Sequence, residues 1–412
     1  MNADSITDQK YYLDSNLFRI RSTMKENASV VIVGGGIAGT SVAYHLGLMG
    51  QSDTILLEQE TLAYGSSSRS NSMVERQLLN EFDILLRVKA FETFRYFFGE
   101  KGVVFTPIGY IRIAAGEEDI PKYHESVRIQ RSLGITDSHV LSPSELKKIL
   151  PFLKVDDLAG ALYNESDGVT DGSQLTSAYA READKFGVEI ALKTRVEGIS
   201  RSGNRRFVVK TNHGDISCDC VVNAAGAWSS KIGDMVGINV PVKPARREYV
   251  ILQVPYEGAG RMPFFIDMKS RLYMHGTGGG GHQVFSGIHQ DADKDEPAED
   301  PDKYNQGQDF EFAERVAKAI AYRAPGLSGS SLKGGITGLY EITPDSRPIL
   351  GEHPELPGFF NCNGFSGYGI QLSPIVGKLT AEMIVKGKPV TITDISPLLI
   401  DRFKTKKDYT LF

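Results

Sequence analysis

The chain has 412 residues, enough to bury a large core and to divide into two domains. With 24% charged and 41% hydrophobic residues and a net charge of −5, its composition is that of an ordinary soluble protein without the basic surplus that nucleic-acid binding needs. Three cysteines, Cys218, Cys220 and Cys362, with no C-x-x-C spacing, exclude a disulfide framework and a dithiol pair and imply a reducing compartment, read as the cytoplasm.

Residues 1–27 are polar and lack the apolar stretch of a signal peptide. A disordered lead and a short packed helix both fit them. From Ser29 the character changes. Val30 to Val33 is an apolar run of the kind that forms a fully buried parallel strand. It passes directly into Gly34-Gly35-Gly36-Ile37-Ala38-Gly39, after which Ala38, Val42 and Leu46 recur at helical spacing. Strand, glycine turn and helix in that order make G-x-G-x-x-G a dinucleotide fingerprint. Gly34 permits the turn, Gly36 lets a pyrophosphate approach the backbone, and Gly39 lets helix and strand pack closely. The phosphates then lie where unpaired N–H groups and the helix dipole point, beside Ile37 and Ala38. Five glycines argue against a transmembrane helix over Val30–Met49. A second apolar run, Thr54 to Leu57, ends in Glu58, 24 positions beyond Gly34. A carboxylate there accepts hydrogen bonds from an adenosine ribose, with Gln59 beside it.

Gly65 to Ser72 is rich in small donors, so Ser66, Ser67, Ser68 and Arg69 are candidates to line a diphosphate; by itself the stretch reads as a polar loop. Glu81 to Phe98 is spaced as a long helix, and Val103 to Ala115 as a strand or hairpin opening another domain. Ser142-Pro143-Ser144-Glu145 is a helix start with a capping box. Gln174 to Phe186 is a helix ended by Gly187, and Glu189 to Val196 begins a strand. A hairpin turns at Asn212-His213-Gly214. The strand from Cys220 to Asn223 then ends in small residues, Ala224 to Ala227, which let a ligand approach. Trp228, the only tryptophan, reads as packing at the cofactor side.

From Arg247 to His289 the pattern alternates like an antiparallel sheet. Gly276, Gly278 and Gly281 match G-x-G-x-x-G, but a strand follows them, so they form a turn. Asp291 to Gln308 reads as a charged surface loop, and Phe312 to Tyr322 as a helix. The strands Gly335 to Tyr340 and Phe359 to Cys362 flank the turn Thr343-Pro344-Asp345. Ser373-Pro374 is expected to cap a helix stopped by Gly387, a second site favourable to negative charge.

Together, GGGIAG with Glu58, VVNAAGAWS and GLYEITPDSRPILG…GFSGYGIQLSP resemble the D-amino-acid oxidase superfamily of FAD enzymes over nearly the whole chain after Ala28. The nearest likeness is to the sarcosine oxidase, dimethylglycine dehydrogenase and dye-linked proline dehydrogenase branch, which RQLLNEFDI also fits. The resemblance implies an α/β (α+β overall) architecture of the glutathione-reductase/p-hydroxybenzoate-hydroxylase type. A Rossmann-type FAD domain would be assembled from 28–102, 165–245 and 335–400. A mixed or antiparallel β-sheet substrate domain would come from 103–164 and 246–334, with 401–412 as a tail. It further implies that Val196 meets adenine through its backbone, and that Ala225, Gly226 and Trp228 back the cofactor. Gly338 and Tyr340, with Gly367, Tyr368, Gly369, Ile370 and Gln371, would lie along the flavin.

Three departures matter. Gly338 stands where monomeric sarcosine oxidases carry a tethering cysteine, so noncovalent FAD is expected. Tyr368 and Gln371 replace a histidine and a lysine that serves the substrate carboxylate. Tyr340 stands where D-amino-acid and glycine oxidases have an arginine. Arg76 remains as a carboxylate clamp, matching the branch if one residue is inserted before it; an exposed salt-bridging arginine fits equally well.

The implied reaction oxidises the C–N bond of a secondary or N-alkyl amino acid, sarcosine- or proline-like, by hydride transfer to flavin N5, giving an imine that hydrolyses. An amine bound unprotonated needs no strong base, which accounts for the lack of a catalytic dyad. Arg76, Tyr249, His275, Tyr368 and Gln371 are the candidate substrate contacts, although a lone histidine in a hairpin is more often structural. No metal ligand set is assigned. The electron acceptor is oxygen, a quinone or a partner flavoprotein, and a homo- or hetero-oligomer is allowed. The rival readings are an FAD-dependent D-amino-acid or 2-hydroxy-acid dehydrogenase, and a flavin-bearing assembly factor or subunit of a larger complex.

Overall fold

The computed structural model describes residues 25–203, 206–290 and 298–404. The lead up to residue 24, residues 291–297 of the charged insertion and the tail from residue 405 lie outside the described residues. Two eight-stranded sheets and a three-stranded one organise the rest.

Asn27–Val33 lies inside the first sheet, parallel to Thr54–Leu57 on one side and to Gly214–Asn223 on the other. Its apolar run is buried on both faces, as a strand between helical layers requires. Glu189–Ala191 extends the sheet beyond Thr54–Leu57, and Leu356–Asn363 adds a strand parallel to Val221–Asn223. Helices Ile37–Leu48, Gly172–Lys185 and Gly369–Lys386 pack together over this sheet. Helix Glu81–Glu100, capped by the Asn80 side chain on the Asp83 N–H (3.0 Å), seals them with Phe94 and Phe97. Each fully buried aromatic contributes on the order of 2 kcal/mol by apolar burial. Among the described residues no helix is long and apolar enough to cross a membrane.

The second sheet runs in the order Ser331–Ile342, Lys243–Gln253, Gln283–Ile288, Leu272–Gly276, Phe264–Asp267, Tyr110–Ile113, Ala161–Asn164, Ser138–Leu141. It is antiparallel except where Phe264–Asp267 lies parallel to Tyr110–Ile113. Period-two alternation sends Leu272 and Met274 into a core shared with helix Phe310–Arg323, whereas Tyr273 and His275 face the other way. The capping box at Ser142 is present, with the Glu145 N–H 3.3 Å from the Ser142 hydroxyl.

Several expected elements are redrawn. Val103 to Ala115 is no hairpin: Phe105–Pro107 joins Met73–Val74 and Gly168–Thr170 in the small sheet, while Tyr110–Ile113 enters the large one. The chain swings between them at Gly109, whose φ is +81°. The strand expected from Glu189 to Val196 is broken at Lys193, φ +56°. Glu189–Ala191 and Val196–Ser202 then occupy opposite edges of one sheet, and the crossing passes Glu58, whose carbonyl accepts the Thr194 N–H at 2.8 Å. The last long helix begins at Gly369 rather than at Ser373. Pro374 sits inside it, and the Ser373 hydroxyl takes up the Ile370 carbonyl (2.9 Å) that proline cannot serve.

Candidate functional site

The glycine turn is closed around its own backbone. Gly34 has φ +114°, and a Cβ there would strike the Ala224 carbonyl; a Cβ at Gly39 would strike the carbonyl of Gly34. At Gly36 an added methyl group would meet, among the described residues beyond the turn's own neighbours, just the Ser67 hydroxyl, at 3.4 Å, so this side of the turn stays open. The Ser67 hydroxyl also accepts the Ile37 N–H at the start of the helix (3.0 Å).

A cavity of about 520 Å3 opens at this turn. Gly34, Gly36, Ile37 and Ala38 form its floor, Ser66, Ser67 and Arg69 one wall, and Ala225, Gly226 and Trp228 the other. Its outer end is bounded by Glu58, Gln59, Thr194 and Val196. The Glu58 carboxylate accepts the N–H groups of Gly35 and Glu60, both at 2.7 Å, and burial raises its pKa. These bonds fix it facing the cavity and leave further lone pairs for a sugar hydroxyl. Open glycine floor, helix N-terminus and anchored carboxylate fit the two ends of an adenine dinucleotide, so the residues present suit FAD.

A smaller cavity of about 90 Å3 adjoins this one, sharing Ile37, Ser66, Arg69, Leu339, Glu341 and Phe365. Its far wall belongs to the second sheet: Arg247, Tyr249, Tyr273 and Tyr340. Gly338 lies on that same sheet, and Gly367, Gly369 and Ile370 line the cavity from the cofactor side. Ser66 ties the serine loop to this wall by donating to the Leu339 carbonyl (2.5 Å). Burial pushes the Tyr249 and Tyr273 hydroxyls up, so both stay protonated donors. Glu341 is held by the Gly364 N–H (2.9 Å) and burial pushes its carboxyl up to about 7.

Other expected contacts are placed elsewhere. The Arg76 guanidinium donates to Asp167 (3.2 Å), Asn164 (3.3 Å) and Ser166, with Phe91 beneath it at 4.3 Å, and lines neither cavity. Gln371 turns away as well, its carbonyl accepting from the Glu75 N–H (3.4 Å) and Arg87 Nε (3.2 Å). Tyr368 caps the last helix and lies 5.3 Å from the Arg87 guanidinium. His275 is fully buried between Phe264 and Phe285, its Nδ1–H donating to Gly276 O (2.8 Å), and burial lowers its pKa to about 4. Ser68 is exposed, and Gly39 lies inside the turn. In the TPDSRP turn, Asp345 binds Arg402 (2.7 Å) and Arg347 binds Asp83 (2.7 Å), so its charges hold the scaffold.

The reading of the insertion as a plain surface loop is corrected. Residues 298–309 form a strap whose Pro301, Asp302, Tyr304 and Gln306 line the larger cavity. Lys231 clasps it through Asp300 (2.9 Å) and Asp302 (2.5 Å), and the Trp228 indole donates to Asp302 at 2.7 Å. Trp228 therefore does more than pack. At the other end Arg246 holds the Asn305 and Gly307 carbonyls and Asp309. Neither the strap nor Arg247, Tyr273 and Glu341 carried a sequence signal of a site, because nothing local tells which loop a distant sheet will bring over the cleft.

Comparison with known proteins agrees with this geometry. Human mitochondrial sarcosine dehydrogenase is 31% identical over 384 residues, covering 89% of this chain and 40% of that protein. The mouse mitochondrial pyruvate dehydrogenase phosphatase regulatory subunit is 30% identical over 383 residues, covering 88% and 42%. The chain thus spans less than half the length of these two relatives, and both being mitochondrial, the cytoplasm is not singled out among reducing compartments. The crystal structure of L-proline dehydrogenase from P. horikoshii superposes with a TM-score of 0.82 and 27% identity, over 92% of this chain and 99% of that one. Residues 29–383 match the family described as DAO, FAD dependent oxidoreductase, and the chain belongs to that family of FAD-dependent oxidoreductases.

Proposed function

We propose that the chain oxidises the C–N bond of an amino-acid-like substrate, with secondary or N-alkyl amino acids of the sarcosine and proline type as the substrates. The observation that carries this reading is the smaller cavity, where Tyr249, Tyr273, Tyr340 and a guanidinium meet the inner end of the dinucleotide cleft. FAD, when bound, supplies the two-electron acceptor. The chain's own part is to bind, orient and dry the substrate. Tyr249 and Tyr273 offer hydroxyl donors from one wall, and Phe365 and Ile370 supply apolar surface from the other. Two acidic residues border this space, and the carboxylates of both are engaged: Glu248 binds Arg246 (2.7 Å) and Glu341 the Gly364 N–H. An amine bound unprotonated needs neither as a base. The N-terminus of helix Gly369–Lys386 faces the same space through Gly369 and Ile370, favouring negative charge there.

Similarity to sarcosine dehydrogenase and to the L-proline dehydrogenase fold supports this substrate class. A second reading, a flavin-bearing subunit of a larger assembly, is favoured by one fact: a relative 30% identical over 383 residues is a phosphatase regulatory subunit. The test is an anaerobic titration of the FAD-loaded protein with sarcosine, dimethylglycine, L-proline, D-alanine and D-lactate. Bleaching of the visible band by the first three supports the proposal, bleaching by the last two moves the substrate class, and no bleaching favours the subunit. None of the three cysteines lines either cavity, so the reading includes noncovalent FAD. Acid denaturation is expected to leave the yellow colour in the supernatant.

A further inference from the structure

We propose that Glu341 takes up a proton when the flavin is reduced and releases it on reoxidation, so that protons follow electrons at this site. The proposal goes beyond the substrate reading and holds whichever molecule donates the electrons, since it rests on FAD chemistry in this cleft.

Glu341 is the last residue but one of strand Ser331–Ile342 and borders both cavities, at the passage from the dinucleotide cleft to the smaller space. Its Oε2 stands 4.0 Å from where a Cβ on Gly226 would be, and Gly226 is wall of the larger cavity. The loop after strand Leu356–Asn363 wraps it. The Gly364 N–H donates to Oε2 (2.9 Å), and the Ser366 N–H donates to the Glu341 main-chain carbonyl (3.1 Å). Left-handed backbone at Gly364 (φ +74°) and Ser366 (φ +49°) goes with this turn.

The charged groups around Glu341 are committed to other partners. Strand alternation puts it on the face of Pro244 and Arg246, and Arg246 is held by Glu248 (2.7 Å) and Asp309 (2.6 Å). Lys231 holds Asp300 and Asp302, and Arg69 is folded onto the Tyr64 and Gly65 carbonyls of its own loop. Arg247, opposite Gly338, stands on the other face, 5.9 Å from the centre of the Tyr340 ring. The Cys362 thiol senses Glu341, but burial pushes it up to about 12 and keeps it neutral. Among the described residues Glu341 thus has N–H donors and no ion pair, and burial leaves its carboxyl at about 7.

Hydride transfer brings one hydrogen nucleus and two electrons into the cleft, a net charge of minus one. An ionised carboxylate in the wall then faces a like charge, which disfavours ionisation. At an effective dielectric of about 20, two unit charges about 10 Å apart shift a proton equilibrium roughly tenfold. A carboxyl poised near neutrality answers by forming one O–H bond with a proton from bulk solvent. No other bond breaks, and the proton returns to solvent when the acceptor withdraws the electrons.

The test needs no substrate. FAD-loaded wild type, Glu341→Gln and Glu341→Asp are reduced electrochemically, with infrared difference spectra and midpoint potentials recorded from about pH 5 to 9. Wild type is expected to gain a protonated-carboxyl band on reduction, about half a proton per flavin near pH 7.5, fading below about 6 and above about 9. Its potential should fall more steeply with pH across that window than that of Glu341→Gln, which keeps a carbonyl for the Gly364 N–H and has no proton to gain. Glu341→Asp holds the carboxyl on a shorter stem and should move the band; it carries the test if the glutamine variant does not load. A band that persists in Glu341→Gln, or stays unmoved in Glu341→Asp, belongs to another group and overturns the assignment. So does a wild type without a redox-linked carboxyl band, which would leave Glu341 a brace for loop 364–367. Failure of every amino acid to bleach the flavin removes the substrate reading and leaves this result untouched.

Discussion

Replacing Glu58 by glutamine tests the cofactor assignment at its most constrained point. The carboxylate is 8% exposed, and its two oxygens accept the Gly35 and Glu60 N–H groups, each at 2.7 Å. Glutamine keeps the shape, but one oxygen becomes an NH2 group, so one of these N–H groups then faces a donor. A hydrogen bond to a charged acceptor is worth about 1.5–3 kcal/mol, which sets the expected loss of apoprotein stability at about 2 kcal/mol. The same change removes an acceptor for the ribose, and FAD affinity is expected to fall about 10- to 100-fold. Apoprotein unfolded in urea gives the first quantity, and quenching of FAD fluorescence on titration gives the second. If the variant lost the stability but bound FAD within about twofold of wild type, Glu58 would be a brace for the glycine turn with no sugar against it.

Lys231→Met opens the clasp on the strap. The pair is exposed, so the expected loss of FAD affinity is only a few-fold, read as faster FAD release on dilution. High salt should speed release from wild type and not from the variant; equal salt dependence would detach the strap from cofactor retention. Arg76→Met leaves Asp167 buried without its cation, a cost of about 3–5 kcal/mol. Burial already pushes Asp167 up to about 7, so the native state holds a proton that the unfolded chain releases near pH 4. Without Arg76 that pKa rises further, so the two proteins share their pH dependence below about 7 and the deficit grows only as pH rises through 7, where wild-type Asp167 ionises and the variant's stays protonated; a deficit flat from pH 6 to 9 contradicts this account. His275 is neutral in the fold, with its pKa down to about 4, and protonates near 6.5 when unfolded. Wild type should thus lose up to about 3 kcal/mol relative to His275→Asn as pH falls from 6.5 to 4, measured by urea unfolding, and parallel curves would refute it.

The parts of this protein written locally were legible in the chain itself. A buried strand, a turn that only glycine can make and a helix that starts at once occupy consecutive residues, so Gly34 to Gly39 and Glu58 could be assigned without coordinates. The same holds for the capping box at Ser142 and the hairpin at Asn212-His213-Gly214, whose hydrogen bonds span only a few positions. Where the helix after Tyr368 begins was not, because Ser373 and Pro374 form a sound cap in isolation, whereas in the fold the helix starts four residues earlier and packs along Ile37–Leu48, with the Ser41 hydroxyl on the Ser373 carbonyl at 2.6 Å. The roles of the arginines were likewise closed to sequence reasoning. Arg76 and Arg247 are both plausible partners for an anion as isolated residues. Which one faces the cavity depends on Asp167, brought to Arg76 from 91 residues away, and on Gly338, set opposite Arg247 by the register of two strands. Local sequence determines which backbone shapes are permitted; the destination of a long charged side chain is decided by the partners that tertiary structure delivers to it, since a buried charge settles wherever desolvation is best offset.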